Sequence, residues 1–391
     1  MQNQMIYLDN NATTKVAPEV VDAMTPYFSE NYGNPSSLYD FGAQIRRVIE
    51  EARGQVADHL GAKSEREIVF TSGGTESNDT AIHSALESDP NRRRIVTTQV
   101  EHSSVRNLCQ AIEKKGCGVA FVGVSKTGAL DWEAFERAVT NDTAIVSIMW
   151  ANNETGVLFP IERIASYVKS KGVLLHVDAV QAVGKIQIRL KNSPIDYLSF
   201  SAHKFHGPKG IGALFVREDA PFLPLFVGGR QERDKRAGTE NVPGIVGLAK
   251  AFSLACERTL PQTSGIEHLR NHLEQTLLAG IPDSFLNGKD EPRVPNTTNI
   301  TIPVVESETL LIRLSQAGIC ASSGYACLTG ALEPSHVLMA MGHSRELAMS
   351  SIRLSLSRYT TEEEIEEALN IIPRVVSELQ KFNRTETGII S

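Results

Sequence analysis

The stretch Ser199–Gly210 is SFSAHKFHGPKG. A short apolar run leads into it, as a buried strand would. It then sets one lysine, Lys204, between His203 and His206, and Gly207 and Pro208 follow at once. Three chemistries compete for such a segment: metal ligation by the histidines, an ordinary basic loop, or covalent chemistry by an amine. No carboxylate or cysteine stands beside the histidines at ligand spacing, which weighs against zinc. A lysine withdrawn from water loses basicity and condenses with carbonyl groups.

Outward from this segment the same pattern repeats. EIVFT (67–71) runs into SGGTESN, RIVTT (94–98) into QVEHSSV, TAIVSIMW (143–150) into ANNETG, and VLLHVDAV (173–180) into QAVGK. GIGALFV follows the lysine segment closely. These apolar runs are continuous rather than alternating, which marks strands buried on both faces. Helical segments lie between them, so the expected architecture is a mostly parallel α/β sheet. Gly74 and Thr75, His102, Asn152 and Asn153, Asp178, Gln181 and Lys204 all fall just after strands. Open α/β sheets bind ligands beyond the carboxyl ends of their strands. Five strand ends thus point to one site.

The last third changes character. NTTNITIPV (296–304) and SIRLSLSRY read as strands, and ESETLLIRLSQAG as a helix stopping at Gly318. TTEEEIEEALNIIPRVVSELQKF opens like a capped helix at Thr361, with acids in its first turn. The expectation is a large domain over residues 16–258. A smaller α/β domain takes in 1–15 and 259–391, and a loop of small residues at about 321–333 belongs to it.

Composition narrows the function. The 391 residues carry a formal net charge of -7, not the basic stripe that nucleic acid requires. No apolar run approaches the roughly 18 residues of a membrane span. The N-terminal MQNQMIYLDNNATT lacks the layout of a signal peptide. Five cysteines, an odd number with no CxxC pair, suit free thiols in a reducing cytoplasm.

Three features then combine. TSGGTESN offers a glycine-lined helix start, suited to a phosphate or simply to capping, with Ser72, Thr75, Glu76 and Ser77 as its polar groups. It is neither a P-loop nor a GxGxxG fingerprint. Asp178, on a buried strand, needs a cationic partner: an arginine, or the protonated ring nitrogen of a cofactor. Lys204 is either a surface amine or a Schiff-base former. A phosphate cradle, an aspartate and a lysine are what pyridoxal 5′-phosphate requires of its protein. Their order along one α/β domain fits the aspartate-aminotransferase architecture, fold type I.

With these pieces in place the chain resembles the cysteine desulfurases of the NifS/IscS type, class V pyridoxal-phosphate enzymes. The resemblance rests on YLDNNATT, NPSS, TSGGTESN, VEHSSV, ANNETG, HVDAVQAVGK, SAHKFHGPKG, RAGTENV, SSGYAC, LEPSHVL and IRLSLSRYTTEEEI, which together span nearly the whole chain. MWANNETGVLFPIE and RAGTENV look closer to the nitrogen-fixation branch than to the housekeeping one. The resemblance implies that Lys204 carries the cofactor, Asp178 meets its ring nitrogen, and His102 stacks on the ring and moves protons. It places Asn153 and Gln181 around the ring hydroxyl. Gly74, Thr75, Ser201 and His203 then serve the phosphate, with Thr239 lent by a second subunit of a homodimer. Arg353 matches the arginine for the substrate carboxylate, with Asn34 and Asn153 nearby, and Cys327 matches the nucleophile. His206 and Cys320 are left as structural, and no metal is expected.

The implied activity converts L-cysteine to L-alanine and leaves a persulfide on Cys327, for an iron–sulfur scaffold or another acceptor. A selenocysteine lyase, a class V aminotransferase of the same fold and a non-enzymatic sulfur carrier are the alternatives. Two positions depart from the family pattern: Arg230 replaces a glycine in GGRQE, and Tyr325 stands where a small residue is common.

Overall fold

Strand order explains why the polar residues converge. The computed structural model describes residues 5–324 and 333–386, with the backbone alone at 258–263 and 383–386. Cys327 and Tyr325 lie outside the described residues. The strands are β1 (Ile6–Tyr7), β2 (Ile68–Thr71), β3 (Arg94–Thr98), β4 (Gly118–Val122), β5 (Thr143–Met149), β6 (Leu174–Asp178), β7 (Tyr197–Ser201), β8 (Gly212–Val216), β9 (Phe285–Leu286), β10 (Thr297–Thr301), β11 (Ile319–Cys320) and β12 (Ser351–Ser355).

Seven of them form one sheet in the order β2-β8-β7-β6-β5-β3-β4. β4, β3, β5, β6 and β7 run parallel, and β8 runs antiparallel to both β7 and β2. The carboxyl ends of β2, β3, β5, β6 and β7 therefore share one edge. Every residue of β5, β7 and β8 is buried, as the unbroken apolar runs required. Along β5 the side chains alternate between two layers. Ile145 packs with the helices Gly74–Ser88 and Ser103–Glu113, and Val146 and Ile148 with the helices Asp40–Leu60 and Ile161–Ser170.

A second core forms apart from this sheet. Ile6, Leu8, Leu273, Ile300, Leu310, Ile352 and Ile372 belong to it. Around it stand the antiparallel set β12-β10-β9 and the parallel pair β1–β11. The C-terminal helix Glu362–Glu386 starts on a reciprocal capping box. The Thr361 N–H donates to the Glu364 carboxylate at 3.0 Å, and the Glu364 N–H to the Thr361 hydroxyl at 3.2 Å.

β2 is an edge strand, and its outer backbone groups need partners. Glu232 accepts from Phe70 N–H at 2.8 Å, and the Ile68 carbonyl accepts from Arg53 and Arg233. Arg53 and Glu232 form a two-pronged pair at 2.7 and 2.8 Å, with side chains only 2% and 3% exposed. This closure steadies the strand that runs into the glycine-rich turn of the site. Glu232→Ala would strand a buried guanidinium, and a stability loss of about 3–5 kcal/mol is expected in chemical denaturation. A loss below about 1 kcal/mol, the scale of an exposed pair, would contradict the buried geometry.

Candidate active site

The cradle forms where β2 and β7 end side by side with β8. Gly212 of β8 lies between Thr71 and Ser201 in register. A Cβ on Gly212 would stand 2.6 Å from the Phe200 carbonyl oxygen and 2.7 Å from the Gly73 Cα, so only glycine lets the three backbones approach. The pocket they leave is lined by Gly73, Gly74 and Thr75 on one side, Ser201 and His203 on the other, and Thr13 above. Gly74 and Thr75 open the helix Gly74–Ser88, whose first N–H groups have no partner within the helix. Glu76 also lines this pocket, whereas Ser77, read from the sequence as part of the cradle, turns away. The Glu76 carboxylate accepts from Ser72 N–H and Arg236, and the Ser77 hydroxyl pairs with Thr71 and the Gly73 carbonyl. His203 shares a 3.2 Å contact with the Thr13 hydroxyl, and burial with nearby Lys204 and Lys209 pushes its pKa down to about 4. A neutral ring hydrogen-bonds an anion without adding charge.

Asp178 ends β6, in register with Met149 of β5 and Ser199 of β7. It is 5% exposed. Its oxygens accept from Asn78 Nδ2 at 2.9 Å and from Val180 N–H at 3.0 Å. Among the described residues no arginine or lysine forms an ion pair with it. The arginine reading of Asp178 therefore falls away, and a carboxylate with only neutral donors is left facing the site. Glu101, buried nearby, does not compete for that role. Burial pushes its pKa up to about 8 against the bond from Thr98, and the charge of Asp178 adds to the rise. One negative charge thus remains at the floor.

Asn78 also donates to Ser104 Oγ at 2.9 Å, and Ser104 Oγ lies 2.8 Å from His102 Nδ1. His102 caps the helix Ser103–Glu113, so its ring is tied down at Nδ1. Crowding by protein lowers its pKa; Asp178 raises it and Lys204 lowers it again.

Lys204 stands in the turn after β7, half-buried. Its Nζ donates to the carbonyls of Asn11 at 2.6 Å and Ala12 at 2.8 Å. Burial lowers its pKa to about 8, helped by Arg353 and opposed by Asp9 and Asp178. The flanking histidines do not form a metal pair. His206 Nδ1 sits 2.9 Å from the Lys15 carbonyl, and its ring meets Tyr359 edge-on, while His203 turns to Thr13. Among the described residues no three His, Cys, Asp or Glu side chains are grouped as metal ligands.

Gln181 Nε2 donates to the Asn11 carbonyl at 2.9 Å, and its Oε1 accepts from buried Lys185. Arg353, on β12, is 4% exposed. It donates to the Asn153 carbonyl at 2.9 Å and to Asp9 at 2.7 Å, and its Nε is buried without an acceptor among the described residues. The fold therefore brings Gly74, Thr75, His102, Asn153, Asp178, Gln181, Ser201, His203, Lys204 and Arg353 to one edge of the sheet. Thr239 and Asn34 are exposed and do not line the cradle of their own chain. Asp9, Asn11, Asn78, Glu101 and Lys185 lie within the quoted motifs but received no role from the sequence, because most of their partners are remote in the chain.

A phosphorylated pyridine aldehyde fits this constellation on three counts. The cradle offers free N–H groups and hydroxyls, Asp178 lacks a cation, and Lys204 is an amine of lowered basicity.

The class-V aminotransferase family model matches residues 6–368. A cysteine desulfurase of Trichormus azollae is 53% identical over 98% of this chain and 96% of its own length. The cysteine desulfurase NifS of Azotobacter vinelandii is 48% identical over 98% and 95%. The solved structure of a NifS-like protein superposes with a TM-score of 0.90 at 40% identity, covering 96% of this chain and all of the other. The chain belongs to the class-V aminotransferase family, and within it to the cysteine desulfurases.

Proposed function

We propose that this protein is a pyridoxal 5′-phosphate-dependent cysteine desulfurase that converts L-cysteine to L-alanine and carries the sulfur away as a persulfide on Cys327. The observation that supports this most is the pairing of a cation-free buried Asp178 with the half-buried amine of Lys204. When bound, the cofactor supplies a carbonyl for the substrate amine and a sink for the electrons of Cα.

The chain's own residues do the rest. Gly74, Thr75, Ser201 and His203 hold the phosphate, and Asp178 takes the ring N–H. Asn153 and Gln181 flank the ring hydroxyl. Arg353 binds the substrate carboxylate near Asn34 and Asn153, using the guanidinium edge whose Nε lacks an acceptor. Lys204 holds the cofactor at rest. Once displaced, its Nζ takes the Cα proton, a role suited to an amine with a pKa lowered to about 8. His102 moves the substrate thiol proton at Nε2, the nitrogen that Ser104 leaves free. Cys327 Sγ, as thiolate, attacks the substrate sulfur. The sulfur–Cβ bond breaks, its electron pair stays with carbon, and Cβ gains a proton to become the alanine methyl. Sulfur remains as Cys327 Sγ–S–H, so two thiols in give one alanine and one persulfide.

The finer partners belong to the same reading. The persulfide passes to an iron–sulfur scaffold or another acceptor in the cytoplasm. Residues 16–258 form the cofactor-binding domain, and residues 1–15 with 259–391 form the domain of the cysteine loop. Thr239, exposed and away from its own cradle, serves the phosphate of a second subunit.

Incubation with L-cysteine and a reducing thiol should release alanine and sulfide in equal amounts. Cys327→Ala should lower both at least about 100-fold, the scale of losing one chemical group. Alanine only on addition of a keto acid would indicate an aminotransferase. Turnover confined to selenocysteine would indicate a lyase, and sulfur binding without alanine a carrier. Light scattering should give twice the 42.7 kDa chain mass, and Thr239→Ala should lose cofactor on dialysis. A fully active monomer would rule out the shared site.

A further inference from the structure

The residue after Asn153 has no part in the chemistry above, yet it is one of the most enclosed carboxyl groups in the molecule. Glu154 is 1% exposed. Its backbone is fixed at both ends, with its N–H donating to Asn152 Oδ1 at 2.9 Å and its carbonyl accepting from Asn299 Nδ2 at 3.3 Å. It belongs to the turn that also presents the Asn153 carbonyl to Arg353. Its side chain meets two residues remote in sequence. The Ser335 hydroxyl donates to Oε2 at 2.5 Å. That hydroxyl also accepts from Leu338 N–H at 3.1 Å, which leaves its proton for the carboxylate. Gly324 lies against the same carboxyl. A Cβ there would stand 3.0 Å from Glu154 Cγ and Oε2 and 3.1 Å from Cδ, and its φ of +91° already favours glycine.

Gly324 and Ser335 bracket the stretch that carries Cys327. Just before Gly324, Ser322 is bridged to the Arg353 backbone, with Arg353 N–H donating to the Ser322 carbonyl at 2.6 Å. Both flanks of the cysteine-bearing stretch therefore converge on one side chain, next to a residue assigned to the substrate site.

We infer that Glu154 is a positioning residue for sulfur transfer: its buried carboxyl accepts from Ser335 and packs against Gly324, one on either side of the stretch bearing Cys327. Groups that flank a reacting thiol matter because small misplacements of reacting atoms slow a step strongly. The partner required is Cys327 of the same chain, and the inference rests on the desulfurase reading. Burial also pushes the Glu154 pKa up to about 7, with the Ser335 bond and Arg353 drawing it down. A protonated carboxyl still accepts from Ser335, so the contact does not depend on the charge.

The test uses the holoenzyme and two readouts that separate positioning from general damage. Exchange of the Cα proton of L-alanine with deuterium, followed by NMR, needs the cofactor and Lys204 but not Cys327. Single-turnover persulfide formation on Cys327, followed by mass spectrometry, needs both. Glu154→Ala should keep exchange within about twofold while persulfide formation slows by about 100-fold, the scale on which small misplacements show. Glu154→Gln, which keeps an oxygen for Ser335, should restore most of the rate. If Glu154→Ala does not fold, Ser335→Ala is read by the same two measurements and should show the same split. Equal loss of both readouts, or none in persulfide formation, would overturn the inference. A wild-type protein that exchanges the proton but forms no persulfide would overturn the desulfurase reading first, and the inference with it.

Discussion

The structure turns on Asn11, a residue 1% exposed whose every polar group is engaged. Its backbone N–H donates to Ser355 Oγ at 2.9 Å, and its Nδ2 donates to Thr297 Oγ1 at 2.8 Å and the Asn153 carbonyl at 3.2 Å. Its Oδ1 accepts from Lys185 at 2.8 Å and Asn296 at 3.1 Å. Its carbonyl accepts from Lys204 and Gln181. Thr297 and Ser355 lie in β10 and β12, whereas Gln181, Lys185 and Lys204 follow β6 and β7. One asparagine thus ties the edge of the seven-stranded sheet to the three-stranded one. Each bond is worth only about 1 kcal/mol net, but losing the hub would strand several buried donors at about 1–3 kcal/mol each.

That hub also governs the electrostatics. Lys204 and Lys185 converge on Asn11, with Arg353 close by, so positive charge is crowded in a poorly hydrated space. Burial drives the Lys185 pKa well below that of an ordinary lysine, and Lys204 and Arg353 add to the fall. An amine that is costly to protonate is a weaker base, but more of it is uncharged and free to act as nucleophile or proton acceptor near neutral pH. The same crowding favours an anionic substrate group, since the Arg353 fork is only partly filled by Asp9 and Asn153. Asp178 works in the opposite sense at the floor, where the rise of the Glu101 pKa leaves it as the negative charge.

Much of this was legible because strands buried on both faces announce themselves as continuous apolar runs, and because a parallel sheet gathers its strand ends. The runs ending at Thr71, Met149, Asp178 and Ser201 placed Gly74, Asn153, Asp178 and Lys204 together without any contact being known. Thr361 and its acids announced the last helix through a local capping box. What stayed hidden is long-range. The bond between Asn11 and Lys204 joins residues 193 apart, and that between Asp9 and Arg353 residues 344 apart. No local pattern encodes such a pair. The sequence reading also made Ser77 a cradle group, when its hydroxyl instead satisfies the backbone of the turn. The reversal of β8 went unread too, although the short link from Ser201 to Gly212 leaves no room for the crossover that parallel neighbours need.

On the proposed reading, the chain places one amine, Lys204, for covalent chemistry. The most direct measurement adds pyridoxal 5′-phosphate to apo-protein across a pH series, reduces with borohydride and maps the labelled peptide. Condensation needs the uncharged amine, so uptake should rise with pH and pass its midpoint near 8, the value to which burial lowers Lys204. The label should lie on Lys204. A label on Lys185, or a midpoint near the 10.5 of an ordinary lysine, would contradict the account.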